Sequence, residues 1–191
     1  TSSISDALTV TIVDENFAPV ATAQSDLAAT EQTEVTITLA GTDSNDDTLT
    51  YIISTLPTNG TLSDNGTVIT EDDLPKTTTS ADVVYVSTSD TATSDIFTFK
   101  VYDGTVDSAA ATVSLAISAV NDAPVATAQT DIVATEQTEV TISLAGTDAE
   151  SDAITYIVST LPTNGTLSDV DGSLFNSENL PITSTMADVV Y

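Results

Sequence analysis

The chain has no cysteine, histidine, arginine or tryptophan, and its only two bases are Lys76 and Lys100. Each absence excludes chemistry. Without cysteine there are no disulfides, and the composition is compatible with an exported protein that does not depend on oxidation. Without cysteine and histidine there is no thiolate or imidazole nucleophile, no Ser-His-Asp triad, and no ordinary zinc, copper or haem site. Against the two bases stand 29 acids, so 2 − 29 gives a formal charge of −27. A polyanion without arginine cannot neutralise phosphates, which excludes nucleic acid and disfavours anionic membrane surfaces. Apolar runs approaching the ~18 residues of a membrane-spanning helix are missing. The first residues, Thr1-Ser2-Ser3-Ile4-Ser5-Asp6, form no charged-then-apolar leader.

What is present is apolar and β-branched. Hydrophobic residues make up 40% of the 191 residues, and mean hydropathy is slightly positive at +0.14. The acids are dispersed among Val, Ile and Thr rather than massed in blocks, which separates the chain from acidic disordered tails. The expectation is a folded, strongly acidic protein whose charge serves either a solvated surface or hard cations.

An internal repeat organises the chain. Residues 18–64 and 123–169 are identical at 37 of 47 positions, at an offset of 123 − 18 = 105. The similarity continues, with one inserted residue, to Ala81-Asp82-Val83-Val84-Tyr85 against Ala187-Asp188-Val189-Val190-Tyr191. Leu8, Val10 and Ile12 align with Val113, Leu115 and Ile117. Residues 1–17 are therefore read as the last strand of a preceding repeat with its linker. Residues 18–122 are one complete repeat, and 123–191 an incomplete second copy. The whole reads as a window on a longer array.

Period-2 alternation places apolar residues on one face of several segments. Val35, Ile37 and Leu39 form one such row, Leu49, Tyr51 and Ile53 another. Phe97, Phe99 and Val101 make a third, and Val113, Leu115 and Ile117 a fourth. Turn chemistry lies between them. Pro57-Thr58-Asn59-Gly60 and Asn65-Gly66 read as hairpins, repeated at Pro162-Thr163-Asn164-Gly165 and Asp171-Gly172. About seven strands per ~100 residues predict an all-β fold of tandem Greek-key sandwiches.

The acids concentrate at strand ends and turns. Asp43, Asn45, Asp46 and Asp47 follow the second strand, with Asp148, Glu150 and Asp152 in the other copy. Asp14, Glu15 and Asn16 precede the first repeat, and Asn121 and Asp122 the second. Asp103, next to Gly104, follows the Phe97 strand, and Glu31 and Glu136 lead into the second strand of each copy. Carboxylates alternating with Asn suit Ca²⁺, which takes 6–8 oxygen ligands in flexible geometry. Turns also favour Asp, Asn and Gly without any ion.

The connector Val120-Asn121-Asp122-Ala123-Pro124-Val125, together with Val101-Tyr102-Asp103-Gly104-Thr105, resembles bacterial cadherin-like and immunoglobulin-like tandem repeats of large surface adhesins of the RTX type. That resemblance spans both copies. It implies Ca²⁺ between successive domains, with Glu31 similar to a first-strand Glu ligand. Asp43 and Asn45, or Asp148 and Glu150, resemble the acidic D-x-D loop. Asp103 resembles the Asp before Gly, and Asn121 and Asp122 the linker ligands. One junction then draws on Glu31, Asn121, Asp122, Asp148 and Glu150, and the preceding one on Asp14, Asn16, Asp43, Asn45 and Asp103. Glu136 is the second-copy counterpart of Glu31. The linker starts with Ala119 where cadherins have Asp, and Phe17 stands where the second linker has Asp122. One or two ions per junction are expected.

Other motifs are weaker. Lys100 alternates out of phase with Phe97, Phe99 and Val101, so it is expected to face solvent rather than form an isopeptide bond with a buried acid. Three Asn-Gly-Thr triads, at Asn59, Asn65 and Asn164, fit glycosylation acceptors but also plain turns. Tyr51, Tyr85, Tyr156 and Tyr191 lie in strands and read as core. Paired acids such as Asp46 and Asp47 could mimic glycosidase carboxylates, but the pair becomes Ser151 and Asp152 in the second copy.

The expected function is structural: a non-enzymatic spacer of a bacterial extracellular adhesin, its partners the neighbouring repeats and its junctions clamped by Ca²⁺. Two alternatives are a self-assembling filament, in which identical chains pair strands, and a carbohydrate-binding or homophilic module.

Overall fold

A computed structural model describes residues 15–184 and 187–191. It divides into two compact units between Ala119 and Val120. The strand expected at Leu8, Val10 and Ile12 lies outside the described residues.

In the first unit the chain runs through β1 (Val20–Ala21), β2 (Gln24–Thr30), β3 (Val35–Thr38), β4 (Gly41–Thr42) and β5 (Thr50–Thr55). It continues through β6 (Gly60–Asp64), β7 (Thr67–Val68), a 3₁₀ turn (Glu71–Asp73) and β8 (Lys76–Thr77). It ends in β9 (Asp82–Ser87), β10 (Ser94–Tyr102) and β11 (Ala111–Ser118). Seven of these strands are four residues or longer, as the alternation predicts; β1, β4, β7 and β8 are two-residue edge pieces.

Two sheets face each other. One has the order β2-β11-β10-β5-β8, the other β3-β9-β6-β7. All pairs are antiparallel except β2 with β11, which run parallel. The four alternating rows supply the core. Ile37, Leu39, Leu62, Val83 and Tyr85 from one side meet Ile53, Phe97, Phe99, Val101, Val113 and Leu115 from the other. This is a β-sandwich whose inner faces bury one residue in two.

Residues 57–60 do not form a hairpin. They carry the chain from β5 in the five-stranded sheet to β6 in the four-stranded one. Turn-forming residues specify a reversal, not which sheet the next strand joins. Asn65 and Gly66 do close a two-residue hairpin between β6 and β7, with φ of 48° and 77°.

The second unit repeats the pairing scheme. β12 (Val125–Thr127) pairs β14 (Ala145–Thr147), and β13 (Thr141–Ser143) pairs β18 (Asp188–Val190), which also takes β16 (Ser168–Asp169). β15 (Tyr156–Val158) pairs β17 (Ile182–Ser184). The left-handed residues recur as well: Asp26, Gln32 and Asp46 match Asp131, Gln137 and Ser151. Residues 129–135, the counterpart of β2, form no ladder among the described residues. In the first unit, among the described residues, that strand pairs with β11.

Candidate metal centre

The inward row of β10 continues past both of its apolar ends. Asp95, Phe97, Phe99, Val101 and Asp103 alternate in one phase, and all five are buried. The core strand therefore carries an acid at each end of the sandwich.

Asp103 sits where β10 gives way to a loop. Its Oδ1 accepts the amides of Thr105 at 2.6 Å and Val106 at 2.7 Å. Gly104, at φ 98°, lets the chain fold back to make these bonds. Its Oδ2 accepts from Asn16 Nδ2 at 2.9 Å. The Val106 amide first, then the Asn16 side chain, hold the Asp103 carboxyl below its ordinary pKa.

Asp43 follows β4 and closes its own loop. Its Oδ1 accepts the amides of Asn45 at 2.7 Å and Asp47 at 3.2 Å. Asp46, at φ 60°, makes the turn that brings the Asp47 amide back. Asp43 Oδ2 is out of solvent and receives no hydrogen bond. Carboxylate oxygens of Asp43, Asp47 and Asp103 lie within 4.8 Å of one another. Three like charges at that spacing repel by about 3 kcal/mol per pair at an effective dielectric near ~20. A cation removes that cost and gives the orphaned Asp43 oxygen a partner. The donor set is all oxygen, which fits Ca²⁺ and not a soft metal. Asp43, Asp47 and Asp103 would hold such an ion.

Of the expected ligands, Asp43 and Asp103 lie in this cluster. Asn16 reaches the cluster by its bond to Asp103. Asn45 spends its side chain on the linker: Oδ1 accepts the Phe17 amide at 2.8 Å, and Nδ2 donates to the Glu15 carbonyl at 3.0 Å. Asp14 lies outside the described residues. Glu31 is buried at the opposite end of the first unit, where its amide donates to the Ser118 carbonyl at 3.0 Å. Asp47 was not among the expected ligands. The repeat carried the signal for it, because Asp43 and Asp47 recur as Asp148 and Asp152 while Asp46 becomes Ser151.

In the second unit the same loop forms. Asp148 Oδ1 accepts the Asp152 amide at 2.9 Å, and Glu150 Oε2 accepts the Asp122 amide at 3.1 Å. Glu150 Oε1 is out of solvent without a hydrogen bond. Asn121 bonds locally, Nδ2 to the Asp122 carbonyl at 3.1 Å. Glu136 is exposed, unlike its counterpart Glu31.

Lys100 lies 3.5 Å from Asp107 with both side chains partly exposed, which makes it a surface ion pair. Among the described residues, no helix is long and apolar enough to cross a membrane.

A family model described as cadherin-like matches residues 19–118, and one described as a bacterial Ig domain matches residues 121–184. No curated protein matches. Among solved structures, human CDH23 EC21-23 is 17% identical with a TM-score of 0.46, the alignment covering 93% of this chain and 54% of that one. The protocadherin GammaB4 extracellular domain is likewise 17% identical, with a TM-score of 0.39 and coverage of 93% and 29%. The chain therefore spans about half or less of the length of these structures. Both matching families are structural and adhesive rather than catalytic and are typical of extracellular proteins, and cadherin-like domains typically bind Ca²⁺. With the first match covering more than half of its 191 residues, the chain belongs to the cadherin-like family.

Proposed function

We propose that this chain is an extender segment of a long bacterial extracellular repeat protein, an adhesin stalk whose junctions are stiffened by Ca²⁺. The observation that supports this most is the convergence of Asp43, Asp47 and Asp103 beside the incoming linker, with one buried oxygen lacking a partner. Without an ion the three carboxylates repel. With one, the Asp43 loop, the end of β10 and, through Asn16, the linker become a single braced corner. Two copies this similar favour reach over varied recognition.

The test is thermal unfolding in EGTA and in 10 mM Ca²⁺ at matched ionic strength, with Mg²⁺ as control. For a dissociation constant of ~10⁻⁴–10⁻³ M, mass action adds about 1.4–2.7 kcal/mol, a rise of at least about 5 °C for a domain near ~100 residues. No rise, or an equal rise with Mg²⁺, overturns the Ca²⁺ mechanism.

A further inference from the structure

We infer that the side chain at one position of each copy, Asn45 in the first and Glu150 in the second, is a latch that fastens the incoming linker to the unit it enters, with no cation required. The same bond occurs twice at the repeat offset. Asn45 Oδ1 accepts the Phe17 amide at 2.8 Å, and Glu150 Oε2 accepts the Asp122 amide at 3.1 Å. Phe17 and Asp122 are 105 residues apart, as are Asn45 and Glu150. The bond survives although both residues change type between copies, which marks the geometry rather than the side chain as what is kept.

The linker needs such a latch. Residues 15–19 join no strand, so their backbone groups have no ladder partners and depend on side chains or water. Asn45 is itself preset, because its amide is held by Asp43 Oδ1 at 2.7 Å. As an amide it both accepts and donates, and it also takes the Glu15 carbonyl at 3.0 Å. Between these two bonds Asn16 is tied to Asp103 at 2.9 Å. Three successive linker residues are thus fixed by two side chains, Asn45 and Asp103. Glu150 can only accept, so the second latch is a single charge-assisted bond.

The latch is a positioning device. It holds Asn16 against Asp103 and the linker against the Asp43 loop before any ion arrives, so an ion does not have to order the linker as it binds. Latching goes beyond the Ca²⁺ reading and holds in chelator whether or not an ion is ever bound.

The test is ¹⁵N relaxation and amide exchange on the full chain in EGTA. Order parameters at Asn16, Phe17 and Asp122 are expected near the ~0.85 of rigid backbone. Asn45→Ala lowers Phe17 below ~0.6 and speeds its amide exchange about tenfold, while Phe97 and Leu115 in the core do not change. Asn45→Asp keeps the acceptor and restores Phe17 but leaves Glu15 unfastened. Glu150→Ala frees Asp122, and Glu150→Gln retains it. Flexible linker residues in unmodified protein, or no local response to Asn45→Ala, overturns the latch. Because every arm is run in chelator, a failure of Ca²⁺ binding leaves these results unaffected.

Discussion

The Tyr85 hydroxyl donates to Asp95 Oδ2 across 3.0 Å inside the first unit's core. Asp95 also accepts the amides of Thr58, Asn59 and Ile96, each at 2.9 Å. One buried carboxylate thus satisfies the crossover between the two sheets and the fully buried Tyr85 side chain together. A buried acid is tolerated here because donors surround it.

Removing Asp95 orphans three amides and a phenol. Asp95→Ala is expected to cost about 3 kcal/mol, and Tyr85→Phe, which spares the amides, about 1 kcal/mol. Urea unfolding at neutral pH gives both values. Equal losses would mean that the amides find other partners.

The same pair sets an alkaline limit. Burial first, and then the bond to Asp95, raise the Tyr85 pKa above its ordinary value. An unfolded tyrosine ionises near ~10 while the folded one keeps its proton. Ionisation therefore favours the unfolded chain, and stability is intact below pH ~10 and falls as pH rises above it. Tyr85→Phe is expected to flatten that decline, read from melting temperatures between pH 8 and pH 11.

Two glycines separate packing from backbone strain. A Cβ on Gly60 would lie 2.5 Å from Tyr85 Cε2 and 2.5 Å from the Val86 carbonyl. A Cβ on Gly66 would meet nothing, but its φ is 77°. Gly60→Ala is expected to lose about 3 kcal/mol through overpacking against backbone, and Gly66→Ala only about 1 kcal/mol through its left-handed conformation. Denaturant midpoints of the two variants check the order.

Much of this was legible in the sequence, for a physical reason. The rows through Ile37, Ile53, Phe97 and Val113 alternate because one face of each strand is buried, so period 2 located the strands and the core. The repeat located the acid loops. Asp95 is hard to place because an acid interrupts an apolar row, although extending that row by one step in either direction places Asp95 and Asp103 inward. Residues 57–60 read as a hairpin from their turn residues alone because the group that holds them, Asp95, lies more than 30 positions along the chain. The Asn45–Phe17 bond leaves no signal either, because bonds from a side chain to a linker have no periodicity.

Charge screening gives a control. With a net charge of −27, sodium chloride is expected to raise the melting temperature gradually over hundreds of millimolar. Ca²⁺ acting at a site does so at millimolar concentration and saturates. A calcium curve that overlays the sodium curve at equal ionic strength would indicate screening alone.

The most direct measurement is a calorimetric titration of Ca²⁺ into the chain, beside the Asp43→Asn and Asp47→Asn variants. Saturable binding is expected at ~10⁻⁴–10⁻³ M. Binding at the site that includes Asp103 is expected to be at least about tenfold weaker in each variant, with folding unchanged by circular dichroism. Absence of saturable heat, or binding identical in both variants, would contradict the assignment of Asp43, Asp47 and Asp103 as the ion's ligands.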